Sequence, residues 1–158
     1  AIRNLTDNLT LSDPIYSGVF LKQLEHLSTL AHRPKVNIST NASGRSTDWW
    51  LKVAELLRPT DGVAFAIDGL SDTNHIYRVN SDWDSVMLGV KTLRENWAGH
   101  MVWRYVIFEH NYHQTAQAQL LARQLGFNEF QPILSTEFPI VIDVRPEQSK
   151  NADSPILV

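Results

Sequence analysis

The stretch Val63-Ala64-Phe65-Ala66-Ile67-Asp68-Gly69 is an apolar run closed by an acid and a glycine, which predicts a buried strand and the turn that ends it. After a polar loop, Val86, Val90 and Leu93 recur at helical spacing behind Asp82, and Gly99 stops that helix. Met101 to Phe108 is again rich in β-branched and aromatic residues, a further strand that finishes at Glu109-His110-Asn111. The same unit is repeated upstream. Val36 and Ile38 alternate with Asn37 and stop at Ser39-Thr40-Asn41, before the loop signal Ser43-Gly44. Ser46 or Thr47 can cap a helix whose inner face is Trp50, Val53, Ala54 and Leu57, with Pro59 as its stop. Before that, an apolar run from Leu9 to Leu11 reaches Ser12-Asp13-Pro14 and leads into a helix carrying Val19, Phe20, Leu24, Leu27 and Leu30. Downstream, a helix with Leu120, Leu121 and Leu125 terminates at Gly126, and Phe130 to Leu134 opens a fifth strand.

Strands alternating with amphipathic helices predict an α/β protein with a parallel sheet and right-handed crossovers. A complete eight-fold barrel takes about 250 residues, more than the 158 present. The expectation is therefore a partial (β/α) TIM-like barrel of about four to five units, with a small doubly wound sheet as the alternative that pattern does not separate. Residues 1–134 form the β/α core on this reading. Residues 135–158 add a strand from Ile140 to Val144 and a polar tail leading toward a further extension.

Composition narrows the function classes. The balance of 14 Lys and Arg against 17 Asp and Glu leaves a net charge of -3 with no basic stripe, so charge implies no nucleic-acid partner. Cysteine is absent (Cys 0), which removes disulfides, thiolate metal sites and a cysteine nucleophile. No apolar segment approaches the roughly 20 residues of a membrane span, and the first ten residues lack a signal-peptide pattern. No membrane partner and a cytoplasmic location are the expectations. The Asn-x-Ser/Thr triplets at Asn4, Asn8, Asn37 and Asn41 are taken as chance occurrences.

Polar residues punctuate four successive strands at one end: Ser12 and Asp13, then Ser39, Thr40 and Asn41, then Asp68, then Glu109, His110 and Asn111. In a parallel sheet these ends share an edge, the edge on which α/β proteins hold ligands. Asn, Asp and Ser also end strands simply because they favour turns and caps. Arg104 falls inside a strand, among Val102, Val106 and Phe108, and is read as a buried guanidinium that requires an anion, either Asp13, Asp68 or a ligand carboxylate. His110 and His113 lack the further ligands a structural zinc site needs. The Trp residues are explained by helix and sheet packing more economically than by base stacking. Neither a dinucleotide-binding Gly-x-Gly-x-x-Gly, a P-loop nor a Gly-x-Ser-x-Gly elbow occurs.

Two segments carry a family resemblance. Ile38-Ser39-Thr40-Asn41-Ala42-Ser43-Gly44-Arg45 with Asp48-Trp49-Trp50, and Phe65-Ala66-Ile67-Asp68-Gly69-Leu70 with Asp72-Thr73-Asn74-His75-Ile76-Tyr77-Arg78, resemble successive units of the radical S-adenosylmethionine enzymes that often carry a SPASM or twitch extension. Val106-Ile107-Phe108-Glu109-His110-Asn111 and the helix through Gly126-Phe127 are similar to the next unit, so the likeness runs from about Leu9 to Phe130. The resemblance implies S-adenosylmethionine and a [4Fe-4S] cluster as cofactors, generation of a 5'-deoxyadenosyl radical, and a small-molecule or peptide substrate. It implies that Ser12-Asp13-Pro14 stands in the motif that contacts the methionyl ammonium. Ser39, Thr40, Asn41, Asp68 and Asn111 would line the cofactor from their strand ends, with Arg78 or Arg104 for its carboxylate. Ala66 stands where that family commonly has serine. The three-cysteine cluster loop is missing, so the chain is expected to be an inactive fragment of a longer enzyme, opening at Ala1 without Met. A cluster-free domain that binds S-adenosylmethionine or serves as a scaffold is the alternative, and an unrelated half-barrel for a phosphate or sugar ligand is a third possibility.

Overall fold

The structure, a computed structural model, describes residues 4–6 and 13–135. Five strands, β1 (Asn4–Thr6), β2 (Lys35–Thr40), β3 (Gly62–Ala66), β4 (His100–Ile107) and β5 (Glu129–Leu134), form one sheet in which every neighbouring pair is parallel. Their order across the sheet is their order in the chain. A 3-10 turn (Pro14–Tyr16) and α1 (Phe20–Ser28) connect β1 to β2, and α2 (Thr47–Leu56) connects β2 to β3. The short α3 (Asn74–Tyr77) and the long α4 (Trp83–Asn96) follow β3; a 3-10 turn (Tyr112–Gln114) and α5 (Thr115–Gln124) precede β5. The strand expected at Leu9 to Leu11 and the one at Ile140 to Val144 lie outside the described residues, as does Ser12.

Sequential order has a consequence for the layers. If each crossover keeps the usual right hand, consecutive units place their helices on the same face of the sheet, and α2 packs against both α1 and α4. Val36 and Ile38 of β2, Val63 and Phe65 of β3, and Met101, Trp103 and Tyr105 of β4 share one buried cluster with Phe20, Leu24, Trp50, Val53, Val86, Val90 and Leu93 from the helices. The register aligns Ile38 with Val63 and Met101 in one row, and Phe65 with Trp103 and Phe130 in the next but one. Phe127, just past α5, closes edge-on against Phe65 (5.5 Å) and tilted against Trp103 (5.4 Å). Each such side chain removed from water contributes about 1.5–3 kcal/mol.

The opposite face carries Ser39, Ala64, Val102 and Glu129 in one row and Ala66, Arg104 and Gln131 in the next. These residues are half-buried or exposed, and no described helix covers them.

Caps fall where hydrogen-bond chemistry requires them. Ser46, not Thr47, accepts from the Trp49 amide, and the Asp82 carboxylate accepts from the Ser85 amide. At the end of α5 Gly126 adopts φ +79°, its amide bonds the Arg123 carbonyl and the Phe127 amide the Ala122 carbonyl, a Schellman pair. The helix expected before Gly126 is α5: its buried residues are Ala118 and Ala122, Leu121 and Leu125 pack partly buried against the core, and Leu120 is 56% exposed. Small residues there let the helix lie close to the sheet. On α1, Phe20 and Leu24 face inward, whereas Val19 precedes the helix and Leu30 follows it, both exposed. Among the described residues, no helix is long and apolar enough to cross a membrane.

Candidate functional site at the carboxyl edge of the sheet

Because all strands run the same way, the segments leaving β2, β3 and β4, and the Asp13 turn, meet at one edge. Two polar clusters occupy it. In the first, the Asp13 carboxylate caps the Pro14–Tyr16 turn by accepting from the Ile15 amide (3.2 Å), with Pro14 at the first position of that turn. Its other oxygen accepts from the Thr40 hydroxyl (2.9 Å) and the Asn41 amide (2.6 Å). Thr40 Oγ1 also accepts from the Ala42 amide, and Asn41 Oδ1 accepts from the Ser43 amide and the Tyr16 hydroxyl. Arg45 reaches back to the Ile15 carbonyl and stacks over Trp49. Ala42 is fully buried at φ +61°, an uncommon conformation for a residue with a side chain, held by these bonds.

The second cluster is centred on Asp68, whose side chain is 0% exposed. The carboxylate accepts from the Val106 amide (2.6 Å) and from Arg78 Nε (2.6 Å). The Asp68 amide donates to Asn74 Oδ1 and its carbonyl accepts from Asn111 Nδ2. Asn111 is itself fully buried and also bonds the Val106 carbonyl and the Phe108 amide, so its side chain ties the end of β3 to the end of β4. Gln114 accepts from Leu70 and Thr73 and donates to Asp72, which fixes the loop before α3. Burial pushes the Asp68 carboxyl above its ordinary value; the Arg78 guanidinium and the Val106 hydrogen bond pull the other way without cancelling it. Burial, with Asp68 and Asp72 nearby, lifts the Tyr105 phenol to about 12.

His110 stands apart. Its ring stacks on Phe108 (5.3 Å, 11°), and Phe108 in turn meets Tyr77 (4.3 Å), over which Arg78 lies. His110 Nε2 is buried without a hydrogen-bond partner, and burial lowers the imidazole's pKa, with Asp68 opposing and His113 adding to that shift. Of the buried nitrogens without a partner among the described residues, Arg33 Nε, Trp50 Nε1 and His110 Nε2, the last is the one at this edge. The sequence places His110 at the end of its strand; it does not show that the ring is tucked against Phe108.

The sequence-derived residues are thus sorted. Asp13, Thr40 and Asn41 come together, as do Asp68, Arg78 and Asn111, and most of their polar atoms are spent on one another. Arg104 corrects an expectation: it is exposed, on the open face of the sheet, and pairs with neither Asp13 nor Asp68. Side chains alternate along β4, so Arg104 shares its face with Val102 and Val106, whereas the core takes Trp103 and Tyr105, and Phe108 is buried beyond the strand end. Ser39 and Ala66 lie on that same open face. Ser39 Oγ, Asn41 Nδ2, both terminal nitrogens of Arg78, His110 Nε2 and the Arg104 guanidinium make no hydrogen bond among the described residues. No group of three metal-ligating side chains occurs among the described residues. Compared with models of known protein families and with curated proteins, the sequence matches none.

Proposed function

We propose that the chain is a partial (β/α) barrel of the radical S-adenosylmethionine type whose carboxyl edge binds S-adenosylmethionine. The observation that carries this reading is the delivery of Asp13-Thr40-Asn41, Asp68-Arg78 and Asn111 to one edge by sequential parallel strands. Helices confined to one face, with Gly62, Ala64 and Ala66 leaving the other face shallow, are what a barrel segment requires.

The two cofactors fare differently. Three thiolates hold the cluster in that family and this chain has Cys 0, so its residues do not fit a [4Fe-4S] cluster. S-adenosylmethionine is favoured by the unmet polar groups at this edge, the orphaned His110 Nε2 and the two Arg78 nitrogens that Asp68 does not use. When bound, it supplies a sulfonium-activated adenosyl group. Arg78, held by Asp68 through Nε alone, keeps two nitrogens for a carboxylate. Asp13 retains lone-pair capacity toward an ammonium, Asn41 keeps its Nδ2 donor, and Asn111 positions Asp68. His110, with its pKa lowered, offers a neutral nitrogen. The absence of cysteine favours one second reading, a cluster-free domain that binds or scaffolds only.

The experiment is a titration of the 15N-labelled chain with S-adenosylmethionine. Binding is expected to be weak, with saturating amide shifts at Asn41, Asp68, Arg78 and Asn111 that fall at least about tenfold in affinity in Arg78→Gln, the loss of one charge-assisted pair. Shifts confined to the opposite end of the sheet, near Arg33 and Asp61, or none up to several times the expected saturation, contradict the proposal.

A further inference from the structure

Among the described residues β5 is the last strand of the sheet, and β4 pairs with only one of its edges. Beside the other edge stand two exposed apolar side chains, Ile133 (45%) and Leu134 (60%). An open edge of that kind is a template for a further strand. Phe130 fixes the faces of β5, because it packs against Trp103 and Tyr105 on the side the helices cover. Alternation then turns Pro132 and Leu134 the same way and Glu129, Gln131 and Ile133 toward the open face. Downstream, Ile140-Val141-Ile142-Asp143-Val144-Arg145 stands between Pro139 and Pro146, six residues to match the six of β5. Proline has no amide to give to a ladder, so the two prolines delimit one strand-length segment. Only the five residues 135–139 separate that segment from β5. A parallel crossover takes about a dozen residues or more, whereas so short a link suits a hairpin.

We propose that the outer edge of β5 is the docking surface for this chain's own residues 140–145, added antiparallel through a turn at 135–139. Pairing Leu134 with Ile140 across the turn sets every other partner. On the helix-covered side Leu134 meets Ile140, Pro132 meets Ile142 and Phe130 meets Val144, all apolar. On the open side Ile133 meets Val141, Gln131 meets Asp143 and Glu129 meets Arg145, so an amide lies beside a carboxylate and an acid beside a base. Side chains directly opposite are about 5 Å apart at Cβ, within reach of both kinds of contact. Glu129, which accepts from Gln131 (2.8 Å), has His100 at 3.6 Å on the β4 side and gains Arg145 on the other. A slip of one residue turns Asp143 and Arg145 toward the helices, which selects this register. The added strand ends the parallel series at β5. This goes beyond the reading above and does not depend on what the carboxyl edge binds.

The test is amide hydrogen exchange on the full isotope-labelled chain, together with nuclear Overhauser contacts between strands. Alternate amides of residues 140–145 are expected to exchange at least about tenfold more slowly than those of residues 147–152. Hα–Hα contacts are expected between residues 129–134 and 140–145 in the antiparallel order. Val144→Lys puts a charge beside Phe130 and should erase the protection, whereas Val141→Lys, on the open side, should leave it. The β3 amides, protected in both variants, show that the rest of the sheet stays folded. Exchange of residues 140–145 at the random-coil rate, or the opposite ranking of the two variants, overturns the proposal. So do contacts found only between differently labelled chains, the result if a second copy takes this edge.

Discussion

At the scale of single residues, the edge of the sheet is held by side chains whose hydrogen bonds cross between strands. Asn111, fully buried, makes one such bond to the Asp68 carbonyl beyond β3 and two more to Val106 and Phe108 at the end of β4. Asn111→Ala leaves a buried amide and carbonyls unpaired, and the expected loss is about 2–4 kcal/mol by urea unfolding. Two titrating groups here act in opposite directions. Burial lowers the pKa of His110 from 6.5, so its contribution to stability is present above that value and is lost as pH falls through the folded one. Asp68 is raised above 3.8, so its contribution is present below 3.8 and is lost as pH rises through the folded value. His110→Gln should therefore flatten the fall in unfolding midpoint on acidification from neutral pH. Asp68→Asn should steepen it in the window just above 3.8, because the stability gained on protonating Asp68 is gone. Unchanged slopes in both variants would contradict these assignments. The acids and amides at the strand ends were legible in the sequence. Their partners were not, because Arg78 and Asp68 are ten residues apart and nothing local indicates that they meet.

At the scale of elements, close approach decides the packing. The indole of Trp50 lies against Gly89, where an added Cβ would come within 2.6 Å of Nε1, so α2 and α4 touch almost backbone to side chain. Gly89→Ala should cost about 1–3 kcal/mol through overpacking, even though alanine favours the helix; a neutral or stabilising effect in thermal unfolding would show that α4 can shift. At the amino end of the strands, Arg33 and Asp61 form a buried pair at 2.7 Å, and Asp61 also accepts from the Val36 and Arg58 amides. Asp61→Ala strands the Arg33 charge and should cost about 3–5 kcal/mol. Helical spacing identified α2 and α4 because their apolar stripes are strong. It placed α5 too, without showing that Ala118 and Ala122 are what lie against the sheet, and it passed over α3, a single turn set by Asn74 and Gln114. Arg104 was misassigned for a related reason: one strand residue in two faces away from the core, and apolar neighbours at i±2 do not reveal whether their shared face is covered.

At the scale of the whole molecule, the sequential parallel order is the fact from which the site descends. It puts the described helices on one face, leaves small and polar residues on the other, and brings the strand ends to one edge. Alternation of strand and helix made the α/β class legible, whereas strand order was not, since it depends on which faces pack and not on the period of any segment. The chain has no native cysteine, which makes single-site labelling clean. A nitroxide on Glu109→Cys, exposed at the carboxyl edge, should broaden the proton signals of added S-adenosylmethionine, while the same label on Lys35→Cys, exposed at the other end of β2, should leave them sharp. Broadening from the Lys35 position, or from neither, would contradict binding at the edge where these strands end.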